Sequence, residues 1–302
     1  MTSPHTTDNR LAFTVARPGT GLLILLLAFI LCLSLTSILM PLLMAVIKRP
    51  QAAMRIATVA QDLLIFIIPA IIAAMMSTRL PARMLGIDTK PRLGVIALSL
   101  ATLIVAVPAL NLVIEWNQSV HLPASMANAE AWLRQMEDAA AQATDLMLGG
   151  NTIASLIMSI LIVGLLAGFS EELFFRGALQ RLLMSTRIGT HVAIWLSAFI
   201  FSAFHFQFFG FVPRLLLGAY FGYLLWWTGS LWVPMAVHIF NNSLVVLGQW
   251  HTVNLGGTPG VLDGFGADMH STPDIIAVIA SVVLTVAGII MLRRLVDKDK
   301  RS

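Results

Sequence analysis

A chain of 302 residues in which 58% are hydrophobic and 11% charged departs from a soluble globular composition, where about 25% of residues are charged. Its formal net charge of +4 comes from basic residues in short loops between apolar runs, which argues against nucleic acid as a partner and for an integral membrane protein. The single cysteine, Cys32, excludes an intrachain disulfide framework and a cysteine metal site.

A helix that crosses a bilayer needs about 20 mainly apolar residues. In chain order the qualifying segments are 21–47, 56–76, 93–114, 151–175, 192–209, 212–228, 231–249 and 275–292. No run alternates as a barrel strand would, so the expected fold is all-α, a polytopic membrane helix bundle of about eight transmembrane helices. The first run is longer than the core of a signal peptide, typically about 7–15 residues, and reads as a retained helix. Between the third and fourth spans, "MANAEAWLRQMEDAAAQATDLML" places Met126, Ala129, Leu133, Met136, Ala140, Ala143 and Met147 on one helical face, with Glu130, Arg134, Glu137 and Asp138 off it. It reads as an extramembrane amphipathic helix packed on the bundle. The junctions "GFVPR" near Pro213 and "TGSLWVP" near Gly229 are short enough to imply antiparallel neighbours.

Three regions follow: 1–150, three transmembrane helices plus the amphipathic helix; 151–250, a core of four predicted spans; and 251–302, an acidic loop with Asp263, Asp268 and Asp274 before the last span. Arg10, Arg17, Arg79, Arg83, Lys90, Arg92, Arg181, Arg187, Arg293, Arg294, Lys298, Lys300 and Arg301 fall on one side of an eight-span chain, so both termini are expected in the cytoplasm. Lys48, Arg49 and Arg55 run against that bias. In a bacterium the membrane would be the plasma membrane.

The stretch "SEELFFR" puts Glu171, Glu172 and Arg176 inside a predicted span. Ionisable groups there cost about 2.5–3.5 kcal/mol each on insertion scales, so a functional reading comes first. Glu172 and Arg176 stand four apart with the acid first, the favoured order for an ion pair. Glu171 points about 100° away and needs another partner. His205, one turn after Phe201 in "FSAFH", and His238, one turn before Asn242 in "HIFNN", lie in other predicted spans. At about 1.5 Å per residue, Glu171 and His205 lie at equal depth, about 23 Å from the turn between their helices. Such groups suit amide hydrolysis: a carboxylate and a histidine activate water, while a histidine and an amide donate to the developing oxyanion. Glu171, His205 and His238 are equally a possible Zn²⁺ ligand set, and the residues alone do not separate the two mechanisms.

"EELFFR", "FSAFH" and "HIFNN" resemble, in this order, the EExxxR, FxxxH and HxxxN signatures of the CPBP family, which contains type II CAAX prenyl endopeptidases and bacterial Abi proteins. The motifs span 171–242. The resemblance implies an intramembrane endopeptidase acting on a membrane-associated, hydrophobic or prenylated peptide. Glu171 would be the base, helped by His205. His238 and Asn242 would form the oxyanion site, with Glu172, Arg176 and Phe201 in support. On the preferred reading no cofactor is required; divalent metal, Zn²⁺ above all, is the alternative. The implied partners are a peptide or protein substrate and the lipid bilayer. Competing classes are a proton-coupled transporter, against which the lack of visible repeat symmetry counts, and a non-catalytic immunity or interaction protein.

Overall fold

The structure, a computed structural model, describes residues 17–255, 265–267 and 271–299. Arg10, Asp263, Asp268, Lys300 and Arg301, which entered the sequence reading, lie outside the described residues. Those described are helical and joined by turns, with no strand among them. α1 runs Pro18–Val46 and α2 Pro50–Ser77. A short α3, Pro81–Leu85, leads to α4, Leu93–Gln118. The amphipathic α5 is Ala127–Leu148, followed by α6, Ile153–Met184. α7 is Thr190–Ala203, α8 Phe211–Thr228, α9 Trp232–Leu255 and α10 Thr272–Asp299. Pro18, Pro50 and Pro81 open their helices, where a missing N–H costs nothing and the fixed φ suits the first turn.

Among the described residues six helices are long and apolar enough to span: Pro18–Val46, Pro50–Ser77, Leu93–Gln118, Ile153–Met184, Phe208–Thr228 and Thr272–Lys298. The other two expected spans exist as helices but differ in character. α7 is apolar yet has 14 residues, not the 18 of the expected 192–209 span. It stops because Phe206 takes a left-handed φ of 53°, which no helix continues. α9 has 24 residues, but His238, Asn241, Asn242 and Ser243 dilute its apolar character. A polytopic bundle is therefore observed, with six clear spans rather than eight.

α1 and α10 leave Leu31, Ile38, Ile276, Ile279 and Val283 largely exposed. Apolar faces of that extent need lipid around them. The chain is thus an integral, multi-pass membrane protein. Its interior falls into two clusters that meet at α8 and α9. One joins α1, α2 and α6 through Leu25, Phe66, Ala70, Phe175 and Met235; the other joins α4, α8, α9 and α10 through Leu103, Phe221, Val237 and Leu292. Small residues let these backbones approach: a Cβ on Gly168 of α6 would sit 3.1 Å from the Ile239 backbone of α9.

α5 rests on the bundle along the expected face, with Ala129, Leu133, Met136, Ala140, Ala143 and Met147 half-buried and Met126 exposed. Its C-terminal end is tied down by polar contacts. Arg55 donates to the carbonyl of Met147 and the hydroxyls of Ser155 and Ser159, and Gln51 donates to the Gly149 carbonyl. Arg55, which ran against the orientation bias, is thus a structural clamp between α2, α5 and α6.

Candidate active site

Glu171 and Glu172 sit on α6 between two stretches, Ile160–Ala167 and Leu173–Gln180, that wind with the wider i→i+5 repeat. A third wide turn, Asp62–Ile67, lies in α2. Such turns shift side chains off the regular helical stripe and recur at functional sites. Here they leave Glu171, Glu172 and Arg176 all facing the interior.

Glu172 and Arg176 are both 0% exposed. Arg176 Nη1 donates to Glu172 Oε1 at 2.5 Å, and Nη2 donates to the Gly218 carbonyl at 3.1 Å. The guanidinium lies 4.3 Å from the Phe201 ring centre and 5.3 Å from that of Phe221. Gly218 allows this close approach: an added Cβ would crowd Arg176 Nη2 and Phe201 Cδ1, each at 3.1 Å. The expected ion pair is therefore present, and α8 closes it with a carbonyl and an aromatic face.

His238 bridges both glutamates. Its Nδ1 is 2.8 Å from Glu172 Oε1, and its Nε2 is 3.6 Å from Glu171 Oε2. An ionised carboxylate only accepts, so Nδ1 carries the hydrogen toward Glu172. Within the pair, the Glu172 and Arg176 charges offset one another, the arrangement under which buried ions are tolerated. The Glu171 contact is longer than a hydrogen bond, so Glu171 is the more loosely held carboxylate of the two.

His205 lies beyond the end of α7, in a turn rather than within a span. Its Nδ1 donates to the Phe201 carbonyl at 3.0 Å, which leaves Nε2 as the acceptor of a neutral ring. Phe201 is the common wall: its ring centre is 5.2 Å from that of His205 and 5.7 Å from that of His238. Among the described residues no hydrogen bond or ion pair joins Glu171 to His205; the imidazole in contact with Glu171 is that of His238. Asn242 lies one turn along α9 and donates through Nδ2 to the Val163 carbonyl of α6 at 3.2 Å. The helices thus gather Glu171, Glu172, Arg176, Phe201, His205 and His238, with Asn242 anchored at the margin.

Three further residues complete the surroundings and were missed by motif reading. Asp62 of α2 is buried, lies against Ser170 and Glu171, and has an Oδ2 without a hydrogen-bond partner among the described residues. Phe221 stacks on His238 with centroids 4.9 Å apart. Arg214 stands in the first turn of α8, within electrostatic range of Glu171 and His205. The criterion that singled out Glu171, an ionisable group within or beside an apolar run, also applies to Asp62 and Arg214. No sequence pattern marks Phe221.

Among the described residues no three His, Cys, Asp or Glu side chains are gathered as metal ligands. Glu172 Oε1 is already engaged by Arg176 and His238.

The geometry defines an intramembrane site of two carboxylates and two histidines, one carboxylate neutralised and the other loosely held. Residues 153–244, which contain every motif residue, match the family described as type II CAAX prenyl endopeptidase Rce1-like. Residues 153–244 are therefore similar to a protease family, the one the three motifs resemble. Over 92 residues the chain is 35% identical to a Bacillus subtilis (strain 168) protein described as uncharacterized protein YpbD, a match covering 29% of this chain and 44% of that relative. The match thus spans less than half of the relative. No solved structure matches the chain.

Proposed function

We propose that the protein is an intramembrane endopeptidase that hydrolyses a peptide bond in a hydrophobic, membrane-associated substrate, with Glu171 as the water-activating base. One observation carries this reading. Arg176 and His238 hold Glu172 in short contacts, while among the described residues Glu171's ion-pair contact is with the Nε2 of His238, at 3.6 Å. One carboxylate is spent on structure, and its neighbour is left for proton transfer.

In the proposed steps, Glu171 takes a proton from water as the water oxygen bonds to the scissile carbonyl carbon. The C=O π pair moves onto oxygen, where His238 and the second amide hydrogen of Asn242 donate to it. His205, through Nε2, orients the water. Collapse of the intermediate breaks the C–N bond, and the leaving amine takes the proton from Glu171. Every step runs through the chain's own side chains, so chelation should leave activity unchanged. Both termini are proposed to be cytoplasmic; reporter fusions after Ser302 and near Gln142 should then report opposite compartments.

The test is incubation of purified protein in detergent with a mixed membrane-peptide library, scored by mass spectrometry. Cleavage that disappears in Glu171→Gln supports the reading. Proton-coupled flux in liposomes without cleavage would make the protein a transporter. Loss of cleavage in chelator, restored by Zn²⁺, would replace the water-activation step with a metal-based one.

A further inference from the structure

Arg214 is a charged residue of the site that these steps leave without a task. It sits in the first turn of α8, directly after Pro213, at the end of the segment that begins with His205. Its Nη2 donates to Gln207 Oε1 at 2.8 Å. Its Nη1 is shut away from solvent and has no hydrogen-bond partner among the described residues. A guanidinium is always charged and offers five N–H groups in a fixed fork, and a buried, unused arm of that fork is an unusual thing to keep in a membrane protein.

The arm is free because the other one is tied back. The Gln207 amide accepts from Arg214 through its oxygen and donates through Nε2 to Glu137 Oε1 at 3.2 Å. Glu137 Oε2 also accepts from the Phe209 N–H at 3.3 Å. Glu137 belongs to α5, so a polar chain runs from the amphipathic helix to the guanidinium. Asn117 of α4 steadies the same segment by accepting from the Val212 N–H at 2.8 Å and donating to the Phe208 carbonyl at 3.2 Å. An arginine bonded directly to Glu171 would neutralise the proposed base. This arrangement keeps the charge beside the site and leaves Glu171 unbonded to it.

We propose that Arg214 is an anion-binding residue of this site: its free Nη1 takes a negatively charged substrate oxygen, and Gln207 and Glu137 hold the guanidinium in position for it. The oxygen can come from the scissile carbonyl as it becomes an oxyanion, or from a free C-terminal carboxylate close to the cut. Arginine suits either, since it pairs with oxygen anions through directed hydrogen bonds. The shared chemistry is a substrate oxygen bearing negative charge. The proposal rests on the protease reading for its first source and is tested separately from it below.

The experiment takes a peptide that the wild-type protein cleaves, made with a free C-terminal carboxylate and again as the amide. Both are assayed on wild type, Arg214→Gln and Arg214→Lys, with melting temperature as the folding control. If the oxyanion is the ligand, kcat falls about 10²-fold on both peptides with a smaller change in KM. If the carboxylate is the ligand, KM rises for the acid only, and the preference for acid over amide disappears. Either result supports the proposal. Rates within two-fold of wild type on both peptides overturn it. Should Arg214→Gln fail to fold, Arg214→Lys decides, because it keeps the charge and loses the fork held by Gln207. If wild type shows no Glu171-dependent cleavage, the protease reading fails on its own. Fluorescence anisotropy of labelled acid and amide apolar peptides then judges Arg214. Tighter binding of the acid that is lost in the variants supports it. Equal binding of both peptides, or none, overturns it.

Discussion

The α6–α9 half of the site pairs its buried charges with one another, whereas the 204–214 half hangs its polar groups on a helix from another part of the chain. In the first, Glu172, Arg176 and His238 pair with one another under Phe201 and Phe221, with Glu172 Oε2 and Arg176 Nε left unpartnered among the described residues. In the second, His205, Gln207 and Arg214 lie on a turn that includes a left-handed Phe206 and is steadied by Glu137 of α5 and Asn117 of α4. The difference separates two jobs. A buried ion pair cannot lose one partner without stranding the other charge, while a turn held by polar side chains from outside can be adjusted without disturbing the core.

The comparison breaks first, if it breaks, at Arg176. Arg176→Met leaves Glu172 buried with one partner fewer and should cost about 3–5 kcal/mol, the range for a broken buried pair. Unfolding in detergent measures it. The double variant Arg176→Met with Glu172→Gln should recover part of that loss, because the stranded charge is gone. Equal losses in the single and double variants would mean that the pair is not a closed unit.

A smaller effect is expected in the other half. Glu137→Ala removes the acceptor for Gln207 and the Phe209 N–H, charge-assisted bonds worth about 1.5–3 kcal/mol each where they are fully formed. The loss should stay local. Amide exchange should rise across 204–211, and kcat should fall with KM little changed. The global melting point should move far less than in Arg176→Met, and Glu137→Asp should restore part of the rate. Unchanged exchange across 204–211 would remove α5 from any role in the site.

The smallest effect lies at the start of α5. The Leu122 N–H, Arg134 and His121 hold the Glu130 carboxylate down at about 2, from an ordinary 4.5. A lowered pKa makes the ionised form the one favoured by folding. The contribution is therefore complete above about pH 4.5 and fades as pH falls toward 2. The difference in melting temperature between wild type and Glu130→Gln should be small and positive at pH 7 and should close across that window. A difference that is flat with pH would show that the contacts at Glu130 add nothing to stability.

The two halves also differ in how far they could be read from the sequence. The Glu172–Arg176 pair was legible because both partners lie four apart on one helix, and helical spacing alone brings them together. His205, His238 and Asn242 were legible as polar residues in apolar runs. That His238 rather than His205 contacts Glu171 was not, since it depends on how α9 packs over Gly168 of α6. The end of α7 at Ala203 was missed because "FSAFHFQFFGF" stays apolar beyond it. Only the backbone of Phe206 and the polar grip of Glu137 on Gln207 and Phe209 show where the helix gives way. The α5 stripe was read correctly as a packed face, but its Glu137 was placed off the stripe, and no local pattern links it to a turn 70 residues on.

The account stands most directly on the different roles of two adjacent carboxylates. The measurement is peptide cleavage and thermal unfolding of Glu171→Gln and Glu172→Gln, side by side with wild type in the same detergent. The predicted result is that Glu171→Gln melts with wild type and shows no turnover, while Glu172→Gln melts lower because Arg176 and His238 lose their shared acceptor. Turnover that survives in Glu171→Gln would contradict the account.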